Sequence, residues 1–292
     1  MRVSLPETWT IRTVLQWTRA YFEQCNVDAP RLTAELLLAH LLKVERVQLY
    51  IDFERPLTKA ELKAYRELIQ RRRSGEPTQY LVGTKEFYGR RFTVNAQVMI
   101  PRPETELLVE ASLRAIPEDA STHVLDLCTG AGCIAVSIAA ERPQASIVAT
   151  DLAIGALEVA KMNAAHFKVE AQIIFYQGDL FEPLPTDARY DVIVSNPPYV
   201  QRDVMSTLPK EVQREPQRAF DGGRDGIDII RKIISTAKAF LKPGGMLALE
   251  MGDEQGEVVR KLLLQTGYRH VHIEQDWAHC DRFAFCLAAQ DS

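Results

Sequence analysis

From about residue 104 onward, short β-rich apolar runs alternate with helical stretches, and this alternation narrows the choice of fold most. The runs are THVLDL, SIVATD, QIIFYQ, YDVIVS and MLALEM, separated by segments such as CIAVSIAAERP and AIGALEVAKMNAAHF. Strands that are apolar along their length are buried on both faces, and intervening helices act as right-handed crossovers. A mostly parallel, doubly wound α/β sheet follows. The last two runs, YRHVHIEQ and RFAFCLAA, have no helix between them and predict an antiparallel hairpin at the sheet edge.

The first part of the chain has a different texture. Ile11, Val14, Leu15, Thr18, Tyr21 and Phe22 recur at three- and four-residue steps and mark one helix face. Asp28-Ala29-Pro30 starts a second helix through AELLLAHLL. Thr58 with Glu61 forms a capping box for a third, which Arg71-Arg72-Arg73 and Gly75 close. EFYGRRFTVNAQVMI reads as a hairpin turning at Tyr88-Gly89-Arg90. The expected organisation is a helical bundle over 1–85, a β-hairpin linker over 86–103 and an α/β domain over 104–292.

Charge follows the same division. Residues 1–100 carry 16 Lys+Arg against 11 Asp+Glu, a net of +5, and the remainder carries 19 against 28, a net of −9. An overall charge of −4 disfavours a dedicated nucleic-acid binder. No run approaches the roughly 18 apolar residues that span a bilayer, and MRVSLPETWTIRTVLQWTR lacks a signal-peptide core, so a soluble cytoplasmic protein is expected. The five cysteines, Cys25, Cys128, Cys133, Cys280 and Cys286, form no C-x-x-C pair and argue against a zinc ribbon or a disulfide framework. His270 and His272, near His279 and Cys280, fall on one face of an alternating strand, so no metal site is expected.

Two motifs carry chemistry. VLDL runs into Cys128-Thr129-Gly130-Ala131-Gly132 and then a helix, so glycines lie at the carboxyl end of the sheet, where open α/β folds bind ligands. Asp151, at the tip of the next strand, can accept hydrogen bonds from ribose hydroxyls whether the ligand is NAD or S-adenosyl-L-methionine. Asp126 would repel a pyrophosphate, and no Lys or Arg lies in 124–140 to offset it. The same carboxylate attracts a sulfonium and an ammonium, which favours S-adenosylmethionine without excluding NAD. The fourth strand, YDVIVS, ends in Asn196-Pro197-Pro198-Tyr199. The prolines fix φ and leave carbonyls free. With the Asn196 side-chain oxygen they make two acceptors suited to an –NH2 group, and Tyr199 offers a flat face to a planar amide or base. The same residues also fit a plain strand-ending turn.

With these motifs in sequence, the chain resembles the class I S-adenosylmethionine-dependent methyltransferases that act on planar nitrogens. The stretches GEPTQYLVG (75–83), Pro101-Arg102-Pro103-Glu104-Thr105-Glu106, EPQRAFDGGRDG (215–226) and Asp281-Arg282-Phe283 resemble the peptide-chain release factor glutamine N5-methyltransferases over nearly the whole chain. The resemblance implies a seven-stranded methyltransferase sheet behind a small helical substrate-docking domain. It also implies that the substrate is the glutamine of the Gly-Gly-Gln loop of a release factor, methylated by a cytoplasmic monomer that binds neither membrane nor nucleic acid directly. Cofactor binding is then expected from Asp126, Cys128, Thr129, Gly130, Ala131, Gly132, Asp151, Asp179, Leu180 and Asn196. Catalysis falls to Asn196, Pro197 and Tyr199, and Pro198 joins them in holding substrate. Cys128 stands where the family usually has glycine, and the Cys-Thr-Gly-x-Gly-Cys loop also resembles methyltransferases of a glutamine in ribosomal protein L3. Those typically have Pro-Arg-Ser-Pro at 101–104, which keeps the release factor as the expected substrate. Competing readings are a nucleic-acid amino-group methyltransferase, an NAD-linked oxidoreductase and an inactive binding module. Residues 200–224 are expected to form a long irregular lid or docking loop, with Asp221 and Asp225 solvated.

Overall fold

The computed structural model describes residues 8–290, so the outermost ends of the two expected domains lie outside the described residues. The chain separates into a helical unit reaching Gly83, to which Lys210–Arg214 also belongs, and an α/β unit comprising the rest.

The helical unit contains α1 (Ile11–Gln24), α2 (Pro30–Leu42), α3 (Arg46–Ile51), α4 (Lys59–Arg73) and α5 (Thr78–Val82). The face predicted for α1 is the one that packs: Ile11, Val14, Leu15, Thr18 and Phe22 are buried, joined by Leu37, Leu38, Leu49 and Tyr65. The Tyr65 hydroxyl donates to the Ala34 carbonyl at 2.8 Å, so this buried phenol keeps a partner. Thr58 and Glu61 form the capping box, with the Thr58 N–H on Glu61 Oε2 at 2.7 Å. The arginines at the end of α4 do more than offset the helix dipole. Arg72 is buried and reaches Glu211 at 2.6 Å, tying Lys210–Arg214 into this unit.

The α/β unit opens with a hairpin of β1 (Thr84–Phe87) and β2 (Arg90–Thr93). It begins two residues before its expected start and turns through Tyr88 and Gly89, both with positive φ (48° and 67°), as a two-residue hairpin loop requires. Then come α6 (Thr105–Ala115), β3 (His123–Leu127), α7 (Cys133–Glu141), β4 (Ser146–Asp151), α8 (Ile154–His166), β5 (Ile173–Gln177), β6 (Tyr190–Ser195), α9 (Asp228–Ala237), β7 (Leu241–Glu250), α10 (Gly256–Gln265), β8 (Arg269–Gln275) and β9 (Asp281–Leu287). The seven strands lie in the order β5-β4-β3-β6-β7-β9-β8, with β3 to β7 parallel and β9 antiparallel to both its neighbours. The expected terminal hairpin is therefore present, with β8 at the edge. Strand order reverses between β3 and β6, and their carboxyl ends flank the crevice where such sheets hold ligands.

Residues 200–224 are more ordered than an irregular lid. Three 3₁₀ turns, Arg202–Thr207, Val212–Arg214 and Gln217–Ala219, break them up. The two aspartates expected to be solvated do reach solvent, Asp225 exposed and Asp221 half-exposed, and each also forms an ion pair: Asp221 with Arg202 at 3.0 Å, and Asp225 with Arg231 at 3.0 Å.

Candidate active site

A cavity of about 310 Å³ opens at the carboxyl ends of β3, β4 and β6, inside the α/β unit. Cys128, Thr129, Gly130 and Ala131 border it, as do Asp151, Asp179, Leu180, Asn196 and Pro198. Four other expected site residues do not border it: Asp126, Gly132 and Tyr199 brace the residues that do, and Pro197 follows Asn196 directly.

The loop after β3 alternates handedness. Cys128, Gly130 and Gly132 have φ of 60°, 56° and 78°. Glycine adopts this region freely, whereas a side chain there costs about 1 kcal/mol, so Cys128 carries local strain. The two glycines serve different ends. A Cβ on Gly130 would meet only the Cys128 carbonyl at 4.0 Å, which leaves that backbone open to a ligand. A Cβ on Gly132 would lie 3.0 Å from the Ala160 Cβ, so this glycine lets α8 pack against the loop rather than admitting a ligand.

Asp126 is fully buried. Its Oδ2 accepts from Thr129 Oγ1 at 2.6 Å and from the Ala135 N–H at 3.2 Å, bracing the loop from beneath. Its Oδ1 has no hydrogen-bond partner. Burial pushes its carboxyl up to about 7, only partly offset by those bonds. The carboxylate expected to face a cationic ligand thus lies one layer behind the cavity wall.

Asp151 does face the cavity. Its Oδ2 accepts from the Gly130 N–H and its Oδ1 from the Ala153 N–H, both at 2.9 Å. Burial raises its pKa, and the backbone donors resist the rise. Each oxygen keeps a further lone pair for a diol. Asp179 ion-pairs with Lys232 at 3.4 Å, and Leu180, also at positive φ (52°), puts a buried side chain on the cavity wall. Apolar walls, an open glycine backbone and acidic acceptors at Asp151 and Asp179 suit S-adenosylmethionine, whose sulfonium, adenine and ribose match these features.

Asn196 borders the same cavity. Its Nδ2 donates to Thr105 Oγ1 at 3.0 Å, while its Oδ1 has no protein donor among the described residues. Pro197 is buried beside it. The Tyr199 hydroxyl donates to Glu250 Oε1 at 3.2 Å, and its carbonyl accepts from Gln255 Nε2 at 2.9 Å, which fixes the end of the motif at both points. Burial, then Glu250, raises the Tyr199 phenol above its ordinary range, so it stays protonated. Nothing in the sequence singles out Asn163, which joins Ala131 of the loop to Thr93 of the hairpin. The nearest signal is an Asn at a core-facing position of an otherwise apolar helix. Among the described residues no His/Cys/Asp/Glu cluster could hold a metal ion, and no helix is long and apolar enough to cross a membrane.

This sheet order, the glycine loop and the Asn-Pro-Pro-Tyr corner define an S-adenosylmethionine-dependent methyltransferase. Residues 13–83 match the family described as PrmC N-terminal domain, and 103–224 the Methyltransferase small domain. The chain belongs to the release factor glutamine methyltransferases. It is 44% identical to the release factor glutamine methyltransferase of Geobacter sulfurreducens, over 95% of this chain and 96% of that one. It is 38% identical to that of Chlorobaculum tepidum, over 97% and 100%. Among solved structures, a Pyrococcus furiosus methyltransferase matches with TM-score 0.52 at 18% identity, covering 69% of this chain and 90% of that one, and shares the fold.

Proposed function

We propose that this protein transfers a methyl group from S-adenosyl-L-methionine to the side-chain amide nitrogen (N5) of the glutamine in the Gly-Gly-Gln loop of peptide-chain release factors. That the relatives are release factor glutamine methyltransferases supports the substrate. The observation that carries the chemistry is Asn196 on the cavity wall, with its Nδ2 tied back to Thr105 and its Oδ1 free.

A primary amide nitrogen is a poor nucleophile because its lone pair is delocalised into the carbonyl. Asn196 Oδ1 and the Pro197 carbonyl accept its two N–H bonds, which turns the lone pair toward the methyl donor and favours partial pyramidalisation. When bound, the cofactor supplies an electrophilic methyl group on a sulfonium. Pro197 and Pro198 fix the spacing of the two acceptors, so the geometry exists before substrate arrives and most of the acceleration comes from positioning. Tyr199 shapes the far side of the amide plane with its hydroxyl held by Glu250. No dedicated base is required, because the nitrogen's proton becomes strongly acidic once the methyl is attached. On the cofactor side, Asp151 holds the ribose, the loop 128–131 the methionine part, and Asp179 with Leu180 the adenine. Asp126 and Gly132 support that loop from behind.

The helical unit, whose sequence carries the chain's basic excess, docks an acidic surface of the release factor. The protein acts as a cytoplasmic monomer, without direct nucleic-acid binding. The test is incubation with labelled S-adenosylmethionine and a mixture of release factor, ribosomal protein and RNA. Label on the release-factor glutamine supports the proposal, and label on RNA or ribosomal protein alone rejects it.

A further inference from the structure

Glu250 closes β7 with a fully buried carboxylate, and a hydroxyl points at each of its oxygens. Thr105 Oγ1 lies 2.7 Å from Oε2 and the Tyr199 hydroxyl 3.2 Å from Oε1. Thr105 in turn receives Asn196 Nδ2 at 3.0 Å. A threonine hydroxyl has one proton and two lone pairs. When that proton is directed at an ionised Glu250, only lone pairs face Asn196. Asn196 must then present its –NH2 to Thr105, and its carbonyl oxygen is left for the cavity.

We infer that Glu250 and Thr105 are positioning residues, a buried relay that sets which end of the Asn196 amide meets the substrate. The inference rests on the proposed role of Asn196 as acceptor for the glutamine amide. A protonated Glu250 can itself donate to Thr105. Thr105 can then turn its proton toward Asn196, and the Asn196 amide can rotate to put –NH2 into the cavity. A donor facing the substrate's N–H bonds does not hold them. Tyr199 responds to the same ionisation, since its hydroxyl donates to the other oxygen.

The charged surroundings bear on this ionisation from every packed element. Arg282 on β9 favours the ionised form of Glu250, and is itself held by Asp276 at 3.1 Å. Glu104, just before α6, opposes it. Burial, reinforced by Glu104, outweighs the Thr105 and Tyr199 hydrogen bonds and Arg282, and raises Glu250 to about 7.

The experiment uses the full-length chain with an intact bacterial release factor. It compares wild type, Glu250→Gln, Thr105→Ser and Thr105→Val for kcat and KM between pH 5.5 and 9. Calorimetry with S-adenosylhomocysteine checks the cofactor site, and infrared difference spectra follow the Glu250 carboxyl band. In an Asp126→Asn background, which removes the other carboxyl raised to about 7, we expect kcat to rise with pH through one ionisation near 7, and the remaining carboxyl band to vanish over the same interval. Thr105→Ser keeps the rate within about threefold. Thr105→Val lowers kcat by roughly 30- to 100-fold, and Glu250→Gln, whose amide can offer Thr105 either an acceptor or a donor, lowers it by about three- to tenfold at high pH and loses the ionisation. Cofactor affinity stays within about twofold in each. A Glu250→Gln enzyme with wild-type rate and pH profile overturns the inference alone, as does a Glu250 carboxyl that does not titrate with kcat in the Asp126→Asn background. The latter measurement needs no substitution at Glu250 or Thr105. A wild type that leaves the release factor unmethylated overturns the reading of Asn196 and this inference with it.

Discussion

Asn163 Nδ2 donates to the Ala131 carbonyl at 2.8 Å and to the Thr93 carbonyl at 3.1 Å, while its Oδ1 accepts the Thr93 N–H at 2.8 Å. One fully buried amide thus joins the cofactor loop to the hairpin ahead of the sheet. Asn163→Leu removes three hydrogen bonds and leaves two carbonyls and an N–H without their protein partner. We expect a loss of about 2–4 kcal/mol in chemical denaturation, with weaker cofactor binding, because the loop loses its brace.

Gly132 and Gly130 separate packing from ligand approach. Gly132→Ala drives a methyl against Ala160 at 3.0 Å in a left-handed conformation, and should cost about 2–3 kcal/mol of stability. Gly130→Ala meets nothing closer than 4.0 Å, so its stability cost should stay near 1 kcal/mol while cofactor affinity falls at least tenfold. Denaturation curves read beside calorimetry with S-adenosylmethionine distinguish the two. Equal effects on both quantities at both positions would contradict the division.

Asp126 makes stability depend on pH. Its folded pKa lies near 7, above the ordinary value of 3.8, so between those limits the folded state holds more protons than the unfolded state. Stability contributed by this group is therefore full at low pH and lost as pH rises through that window. Asp126→Asn keeps the acceptor for Thr129 and Ala135 without a buried charge. At pH 8 it should be more stable than wild type by on the order of a few kcal/mol, and at pH 4 nearly equal to it. A gain of the same size at both pH values would show that the carboxylate is not titrating.

How much of this was legible in the sequence depended on how far apart partners lie along the chain. The inner parallel strands β3, β4, β6 and β7 announce themselves because burial on both faces demands apolar runs, whereas the edge strand β5 is largely half-exposed. The Thr58–Glu61 capping box is visible because its members are three residues apart. The glycine loop and Asn196 also stand out as local patterns. The residues that orient them do not: Asn163 and Thr93 are 70 positions apart, Thr105 and Asn196 91, and Thr105 and Glu250 145. Only the folded sheet brings these pairs together. Asp126 could be placed at the end of its strand, but whether its carboxylate faces the ligand or the layer behind depends on packing that no local pattern encodes. The charge of Glu250 at the tip of an apolar strand was the one available hint of a buried polar cluster.

The grip on the substrate amide is testable through Asn196 itself. Asn196→Ala should bind S-adenosylmethionine as wild type does, since Asp151 and the loop remain. Methylation of the release factor should nevertheless fall by about 100-fold or more, the loss typical of removing one preorganised polar partner of a reacting group. Tandem mass spectrometry of the release factor after a single turnover reads this most directly. We predict one methyl group on the side-chain nitrogen of the Gly-Gly-Gln glutamine with wild type and almost none with Asn196→Ala. Wild-type yield from Asn196→Ala, or a methyl group found on any other atom, would contradict the account.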